Sequence, residues 1–192
     1  MAQKNFPSKE ASCMRGHQGS VLTVKFNTDG GYCLSGGSDK TIRLWNPFSS
    51  KLIKIYHGHG WEVLDLTVSF DNSRIASCGG DRQVFLWDVP TGQVLRKWRG
   101  HMHRVNCVAY NEDNSVLVSG SYDKTVRIWD CKSNSFDAMQ VINDALDSVT
   151  SIFISGNEII TASVDGRIRN YDVRKGQLAI DTIGQPITSV RL

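Results

Sequence analysis

The sequence lacks the features that mark several large classes of protein. No run approaches the ~18 consecutive apolar residues of a membrane-spanning helix. The first residues, MAQKNFPSKEASCMRGH, contain no apolar stretch of the kind that forms a secretion signal. An excess of one charge is also missing, since 22 basic and 19 acidic residues leave a net charge of +3. That charge alone does not indicate nucleic-acid binding, and we expect neither secretion nor membrane insertion.

Cysteine occurs in no pattern that would bind metal or carry out redox chemistry. No two of the five cysteines form a CxxC pair, so zinc-ribbon and thioredoxin-like sites have no support. Three of them lie in apolar, strand-like runs, which predicts reduced and mostly buried thiols in a protein of the cytoplasm and nucleus. The cysteines are Cys13, Cys33, Cys78, Cys107 and Cys131.

What the sequence does contain is an internal repeat of 42 residues. Gly-His occurs at residues 16–17, 58–59 and 100–101, and a serine, an aspartate and a tryptophan recur at the same step. A fourth unit keeps the aspartate but has threonine for serine and tyrosine for tryptophan. Several independent markers at one period indicate a repeat architecture. Four versions of one phrase result: SGGSDKTIRLWN, SCGGDRQVFLWD, SGSYDKTVRIWD and TASVDGRIRNYD.

Each unit is a set of short strand-like segments separated by turns. The first unit contains VLTVKF, YCLSG, TIRLW and LIKIY, whose alternation and β-branched or aromatic residues are typical of half-buried strands. Asp-Gly and Asn-Pro between them indicate turns, and no segment has a sustained helical period. The sequence therefore predicts an all-β protein with four strands in each unit.

A period of about 40–45 residues with Gly-His early and Trp-Asp late resembles the WD40 β-propeller. The resemblance covers residues 10–192, after a segment at 1–9 that we expect to be flexible. It implies four complete four-stranded repeats and the start of a fifth. The repeats are placed at about 16–57, 58–99, 100–141 and 142–183, with the partial repeat at 184–192.

The predicted propeller is not closed. Residues 10–15 are expected to form one strand before the first Gly-His, and ITSVRL at 187–192 the first strand of the fifth repeat. WD-repeat propellers usually have seven blades, and closure removes exposed strand edges. We therefore expect a form that is truncated relative to a seven-bladed propeller. The alternative is a small propeller that closes on itself or pairs with a second copy.

The WD-repeat resemblance implies that recurring polar side chains form a buried hydrogen-bond network in each unit, since buried polar groups need partners. These residue types also match a nucleophilic triad, but an active site would occur once and this set occurs three times. We therefore expect a structural role and no enzyme activity. The predicted tetrads are His17, Ser35, Asp39 and Trp45; His59, Ser77, Asp81 and Trp87; His101, Ser119, Asp123 and Trp129; and an incomplete fourth set of Thr161, Asp165 and Tyr171.

No motif predicts a cofactor or a metal ion. The glycines of SGGS and CGGD precede the turn aspartate and do not form a phosphate-binding loop. His57 with His59, and His101 with His103, have the spacing of one strand face, but one member of each pair already belongs to a tetrad. The fourth unit reads IND at 142–144 in place of Gly-His, so we expect its blade to be the least rigid.

Basic residues do not form a track along the chain. Arg43, Arg127 and Arg169 recur at one strand position, which Phe85 occupies in the second unit. This pattern favours a position between blades over a line of phosphate contacts. Direct contact with nucleic acid is therefore not expected.

The residues beside the first strand of each unit, and the residue before the turn aspartate, are expected on the top face of the propeller by analogy with WD repeats. Arginine, tyrosine and tryptophan among them have the composition of an interface hot spot. We predict protein binding at the following six: Trp61, Glu62, His103, Arg104, Asn106 and Tyr122.

Longer phrases point beyond the general repeat. GGYCLSGGSDKTIRLWNP, TGQVLRKWRGHMHRVNCVAYNED and TASVDGRIRNYDVRKGQL resemble the mitogen-activated protein kinase organizer family of WD-repeat proteins. The resemblance extends over the N-terminal part of that family's length. It implies a non-catalytic scaffold that holds kinase-cascade components together and associates with the pre-mRNA splicing machinery, with proteins as partners and no membrane or small-molecule substrate.

A second binding function has one short motif in its favour. Tyr171-Asp172-Val173-Arg174 resembles the (W/Y)-D-x-R ending by which some WD-repeat proteins dock a ubiquitin-ligase adaptor. The alternative prediction is therefore a substrate receptor for a cullin-type ubiquitin ligase. Loss of adaptor binding on Arg174→Ala would separate it from the scaffold.

Overall fold

A computed structural model describes residue 10 and residues 13–191 of the chain. These residues form sixteen β-strands, grouped into four antiparallel sheets of four. In every sheet the strands lie side by side in chain order, so each sheet is one blade of a propeller and the all-β prediction is confirmed. Within this part of the chain no helix is long and apolar enough to cross a membrane. The segment 1–9, predicted to be flexible, lies outside the described residues.

The strand bounds follow the 42-residue period. The first blade consists of β1 (Val21–Phe26), β2 (Cys33–Gly37), β3 (Thr41–Asn46) and β4 (Lys51–His57). The second consists of β5 (Val63–Val68), β6 (Arg74–Gly79), β7 (Gln83–Asp88) and β8 (Val94–Arg99). The third consists of β9 (Val105–Tyr110), β10 (Val116–Ser121), β11 (Val126–Asp130) and β12 (Gln140–Ile142). The fourth consists of β13 (Val149–Ser155), β14 (Glu158–Ser163), β15 (Arg167–Asp172) and β16 (Gln177–Thr182).

Burial divides each blade into an inner and an outer part. The second strand of every blade is covered on both faces over most of its length, as in β2, where all five residues are buried. The fourth strand is the outer edge, and β16 is exposed along its length. This explains why the second strands read as nearly continuous small and apolar residues rather than as alternating ones.

The turn between the second and third strands has the same conformation in every blade. The residue after the turn aspartate has a positive φ, 67° at Lys40, 65° at Arg82, 70° at Lys124 and 76° at Gly166. The aspartate stabilises this turn by accepting the backbone N–H two residues further on, as at Asp81. This turn therefore places one cationic residue of each of the first three blades at the same end of the propeller, namely Lys40, Arg82 and Lys124.

Burial of the first strands depends on the neighbouring blade. Val63 and Val105 have no exposed surface, whereas Val21, one repeat earlier, is 48% exposed. Leu66 is likewise fully buried and its equivalent Val24 is 51% exposed. Among the described residues no blade precedes the first, so one apolar face of β1 has no protein against it.

The two predicted terminal strands are not formed. Residues 13–15 and 187–191 have no ladder partner among the described residues, and an antiparallel strand requires one. The C-terminal segment instead lies along β13 through side chains. The Thr150 hydroxyl donates to the Ile187 carbonyl at 2.6 Å, and the Val190 N–H donates to Ser151 Oγ at 3.2 Å. The predictions of strands at 10–15 and 187–192 are therefore wrong for the residues that the structure describes.

Candidate functional site

The four side chains of the first tetrad form a continuous hydrogen-bonded chain. His17 Nδ1 lies 2.9 Å from the Asp39 carboxylate, and His17 Nε2 lies 2.7 Å from Ser35 Oγ. The Trp45 indole N–H donates to the same serine oxygen at 2.8 Å. Since that oxygen accepts from tryptophan, the serine hydroxyl donates to Nε2 and the histidine Nδ1–H donates to the aspartate.

The second and third blades repeat this geometry. In the second blade the aspartate–histidine, histidine–serine and serine–tryptophan distances are 2.7, 2.7 and 2.8 Å. In the third blade the same three distances are 2.9, 2.8 and 2.8 Å. The residues so joined are His59, Ser77, Asp81 and Trp87, and His101, Ser119, Asp123 and Trp129.

The electrostatics of the third tetrad favour an anionic aspartate beside a neutral histidine. Burial raises the pKa of Asp123, but the hydrogen bonds from His101 and Thr125 outweigh it and hold that pKa well below its usual range. Burial also lowers the pKa of His101, so the ring is neutral near pH 7. Ser119 has no exposed surface, so no substrate reaches its hydroxyl. The arrangement stabilises structure and offers no accessible nucleophile.

The tetrad aspartates also fix the loops at one end of the propeller. Asp81 accepts the Gly60 N–H at 3.0 Å, and Asp123 accepts the Met102 N–H at 2.8 Å. Each aspartate thus ties the loop before the first strand to the turn before the third. We call this end the top face, meaning the loops 16–20, 58–62, 100–104 and 143–148 and the turns 38–40, 80–82, 122–124 and 164–166.

The fourth blade replaces histidine by a buried arginine. Arg169 has no exposed surface and donates to the Asp165 carboxylate at 2.7 Å, while Asp165 accepts the Leu146 N–H at 2.9 Å. Burial raises the pKa of Asp165, but the bonds from Arg169 prevail and lower it to about 2. The sequence predicted an incomplete network here. It gave Arg169 a position between blades but not the role of the missing histidine.

The other two residues of the fourth set remain in the interior. Thr161 is buried on β14 and Tyr171 is half-buried on β15. Burial raises the pKa of Tyr171 to about 12, and the nearby Asp144 carboxylate contributes in the same direction. Asp144 comes from the segment that stands in place of Gly-His. The loop is therefore still connected to the blade, but through different side chains.

Two predicted top-face residues, Trp61 and Glu62, lie in the loop before the first strand of the second blade. The Trp61 side chain is 63% exposed, and the Lys40 ammonium lies 6.0 Å from its ring centroid. Glu62 is half-buried, with its carboxylate against Gly80. A large exposed aromatic beside a cation is typical of protein-binding surfaces.

Three further predicted residues meet in one hollow between the second and third blades. The Arg104 guanidinium carbon lies 5.0 Å from the Tyr122 ring centroid, and the His103 ring meets that ring edge-on at 5.7 Å. Arg82 reaches across from the second blade and donates to the Met102 carbonyl at 3.4 Å. The hollow has a volume of about 440 Å³, and we call it the Arg104 hollow, lined by Gly80, Arg82, His103, Arg104 and Tyr122.

Asn106 is oriented differently from the other five candidates. Its amide N–H₂ donates to Ser148 Oγ at 2.9 Å and to the Val149 carbonyl at 2.7 Å, both in the fourth blade. Its donors are therefore occupied in holding two blades together. The remaining five candidates lie on the top face with side chains at least partly open to solvent.

Asp65 was missed by the sequence reasoning although it links three blades. Its carboxylate accepts from the Thr23 hydroxyl and from the Val108 N–H, each at 3.1 Å, and lies 3.8 Å from the Lys25 ammonium. Burial raises the pKa of Asp65, and Lys25 opposes that rise. The available signal was a break in the repeat, because the equivalent positions hold threonine, cysteine and serine.

The described residues contain no group of three or more His, Cys, Asp and Glu side chains that would hold a metal ion. Four of the cysteines are buried and unpaired, and Cys13 is exposed.

The chain was compared with known proteins. The family profile "WD domain, G-beta repeat" matches residues 8–46, 50–88 and 92–130. "WD repeat domain-containing protein 83" of Xenopus tropicalis is 57% identical over 184 residues, which is 96% of this chain and 59% of that protein. The human protein of that name is 52% identical over 95% of this chain and 58% of its own length.

The chain thus spans about three-fifths of the length of these relatives. Among solved structures, "Structure of U3-55K" superposes with a TM-score of 0.83 at 24% identity, covering 88% of this chain and 54% of the other. That likeness concerns the fold alone. The profile match, the repeated tetrads and the four blades agree, and the chain belongs to the WD domain, G-beta repeat family.

Proposed function

We propose that the chain is a non-catalytic scaffold that binds other proteins through its top face. The observation that carries the proposal is a contrast in hydrogen bonding. The tetrad side chains are joined to one another, whereas Arg104 and Trp61 on the top face make no side-chain hydrogen bond among the described residues. Groups with unused binding capacity on a rigid surface are suited to recognition.

The partners are proposed from the family resemblance. The phrases shared with the mitogen-activated protein kinase organizer family favour components of an extracellular-signal-regulated kinase module and of the pre-mRNA splicing machinery. Both roles would place the protein in the cytoplasm and nucleus. A scaffold needs no reaction of its own, because two proteins held on one body meet at a high effective concentration.

Scaffolding predicts a distinctive dependence on concentration. Two purified kinases of the module would be mixed with increasing amounts of the chain, and their proximity measured by energy transfer between attached dyes. The signal should rise and then fall, because excess scaffold separates the kinases into binary complexes. A signal that only rises, or never changes, would contradict scaffolding.

Two double variants that remove exposed aromatic residues from opposite ends of the blades identify the surface that binds the kinases. The double variant Trp61→Ser, Tyr122→Ser removes two exposed aromatics from the top face and should abolish the rise in signal. Phe48 and Phe70 are more exposed than Trp61 and Tyr122 but lie in turns at the opposite end of the blades, after β3 and after β5. The double variant Phe48→Ser, Phe70→Ser should behave as the wild type, and the reverse result would move the binding surface to that end.

One observation favours a ubiquitin-ligase receptor as a second candidate. Val173 and Arg174 are both exposed in the turn after β15, in a conformation held by Asp172, which accepts the Arg174 N–H at 3.0 Å. The motif is therefore presented to solvent. Binding of a purified ligase adaptor should be lost in Arg174→Ala and kept in Lys175→Ala; equal binding by both variants would remove this candidate.

A further inference from the structure

We infer that the Arg104 hollow is a docking site for an acidic protein segment, which inserts an aspartate or glutamate side chain between Arg82 and Arg104. The inference rests on the proposed scaffold function and names the chemistry of one partner contact. It concerns a single hollow between the second and third blades, where the positions of His103, Arg104 and Tyr122 hold other residue types in the other repeats.

The cations of the hollow have no internal counter-charge. Among the described residues no carboxylate lies within 4.0 Å of the Arg82 or Arg104 guanidinium, although Arg43 and Arg169 each have one. Among the described residues the Arg104 guanidinium makes no hydrogen bond, and the Arg82 guanidinium donates only to the Met102 carbonyl. A guanidinium presents paired N–H groups that match a carboxylate, so both side chains are open to an acidic ligand.

The hollow is also held in place before any ligand arrives. Tyr122 lies under the Arg104 guanidinium, and His103 packs against the edge of the same ring. Arg82 follows the turn aspartate Asp81, which is hydrogen-bonded to His59 at 2.7 Å. The tetrad of the second blade thus fixes one wall. A preorganised site loses less side-chain entropy when it binds.

The surroundings favour a protein segment over nucleic acid. Glu62 places a carboxylate against Gly80, which lines the hollow, and it would repel a phosphate backbone, which is charged at every position, more than a segment with one acidic residue. The exposed Trp61 lies beside it and offers apolar surface to a neighbouring side chain of a peptide. One acidic side chain flanked by apolar residues would fit this arrangement of charges.

The test uses the purified chain and a dye-labelled peptide in which one glutamate is flanked by apolar residues, and binding is followed by fluorescence anisotropy. The same peptide with glutamine for the glutamate is the control ligand. Arg104→Gln and Arg82→Gln should each weaken binding by about tenfold, the effect of one lost charge-assisted hydrogen-bonded contact. Arg104→Lys should fall between Arg104→Gln and wild type, because it keeps the charge and loses the paired geometry.

The matched control is Arg74→Gln, which removes the same charge from an exposed site at the start of β6, at the opposite end of the blades, and should leave binding unchanged. Arg82 and Arg104 are both exposed, so the variants should fold, and their unfolding midpoints check this. Binding that is equal for the glutamine peptide, or weakened equally by Arg74→Gln, would overturn the inference. So would tighter binding of an RNA oligonucleotide that Arg104→Gln abolishes.

The peptide experiment and the kinase experiment test the two proposals separately. If the chain brings the kinases together but Arg104→Gln leaves the peptide affinity unchanged, the scaffold stands and the acidic-segment site is refuted. If the peptide binds through Arg104 but no kinase pair is assembled, the site stands and the scaffold proposal fails.

Discussion

The tetrads and the Arg104 hollow contain similar residue types but have different roles. Both contain histidine and an aromatic ring, but the tetrads recur in three blades and the hollow is found in one place. In the tetrads each polar group has a partner and is shielded from water; in the hollow the cations face solvent without a counter-ion. Polar side chains that recur in several blades and hydrogen-bond to one another indicate a structural role. A cluster that occurs once and has polar groups without partners indicates binding.

The largest expected loss of stability follows from breaking the buried ion pair of the fourth blade. Arg169→Met leaves the Asp165 carboxylate buried without its cation and should lower the free energy of unfolding by about 3–5 kcal/mol. Arg167→Met, on the same strand but with no ion pair among the described residues, is the control and should change stability little. Denaturant unfolding measures both. A small loss in Arg169→Met would show that this pair does not replace the tetrad.

The next effect tests a complete tetrad. Asp123→Ala removes the acceptor of His101 and of the Met102 N–H and should cost about 1–3 kcal/mol of unfolding free energy. Asp137→Ala, an exposed aspartate of the same blade, should cost less than about 0.5 kcal/mol. Equal unfolding midpoints for the two variants would contradict the structural role of the network.

Acid titration probes the same interior. The pKa of Asp165 is about 2 when folded and 3.8 as the reference value, so the carboxylate favours the folded state above pH 4. Its contribution, about 2 kcal/mol, should disappear as the pH falls from about 4 to about 2. Asp165→Asn should lose less stability than the wild type across this window. Parallel curves of unfolding free energy against pH would exclude the assigned ion pair.

The smallest expected effect is a change in peptide affinity that results from a substitution on the top face. Tyr122→Leu keeps apolar bulk but removes the ring under Arg104, so affinity for an acidic peptide should fall about two- to fivefold, the worth of an exposed cation–π contact. Unfolding free energy should change by less than about 0.5 kcal/mol. Phe48→Leu, at the opposite end, should alter neither. A stability loss as large as that of Asp123→Ala would place Tyr122 with the structural residues.

The 42-residue period carried most of the fold prediction. Four strands in each unit, and the turn aspartate between the second and third, follow from alternation and turn residues that act locally. The tetrads could be written down from spacing because every member recurs. Single departures from the repeat were harder to interpret, since Asp65 and Arg169 acquire their roles from partners that local patterns do not place beside them.

Contacts between blades explain the remaining differences. Asn106 was expected to face a partner, but Ser148, just before the first strand of the next blade, lies close enough to accept its N–H. Val24 has the pattern of a core residue and is half-exposed, because burial at that position needs a preceding blade. The terminal segments lack ladder partners for the same reason. Local sequence determines a strand and its turn, whereas burial and pairing also depend on neighbours.

Hydrogen–deuterium exchange of the chain with and without the single-glutamate peptide tests the central claim most directly. The account predicts slower exchange on binding in the top-face segments 60–62, 80–82, 102–104 and 122–124, and no change in the turns 47–50, 90–92 and 173–176 at the opposite end. Protection confined to those opposite turns would contradict the assignment of the binding surface.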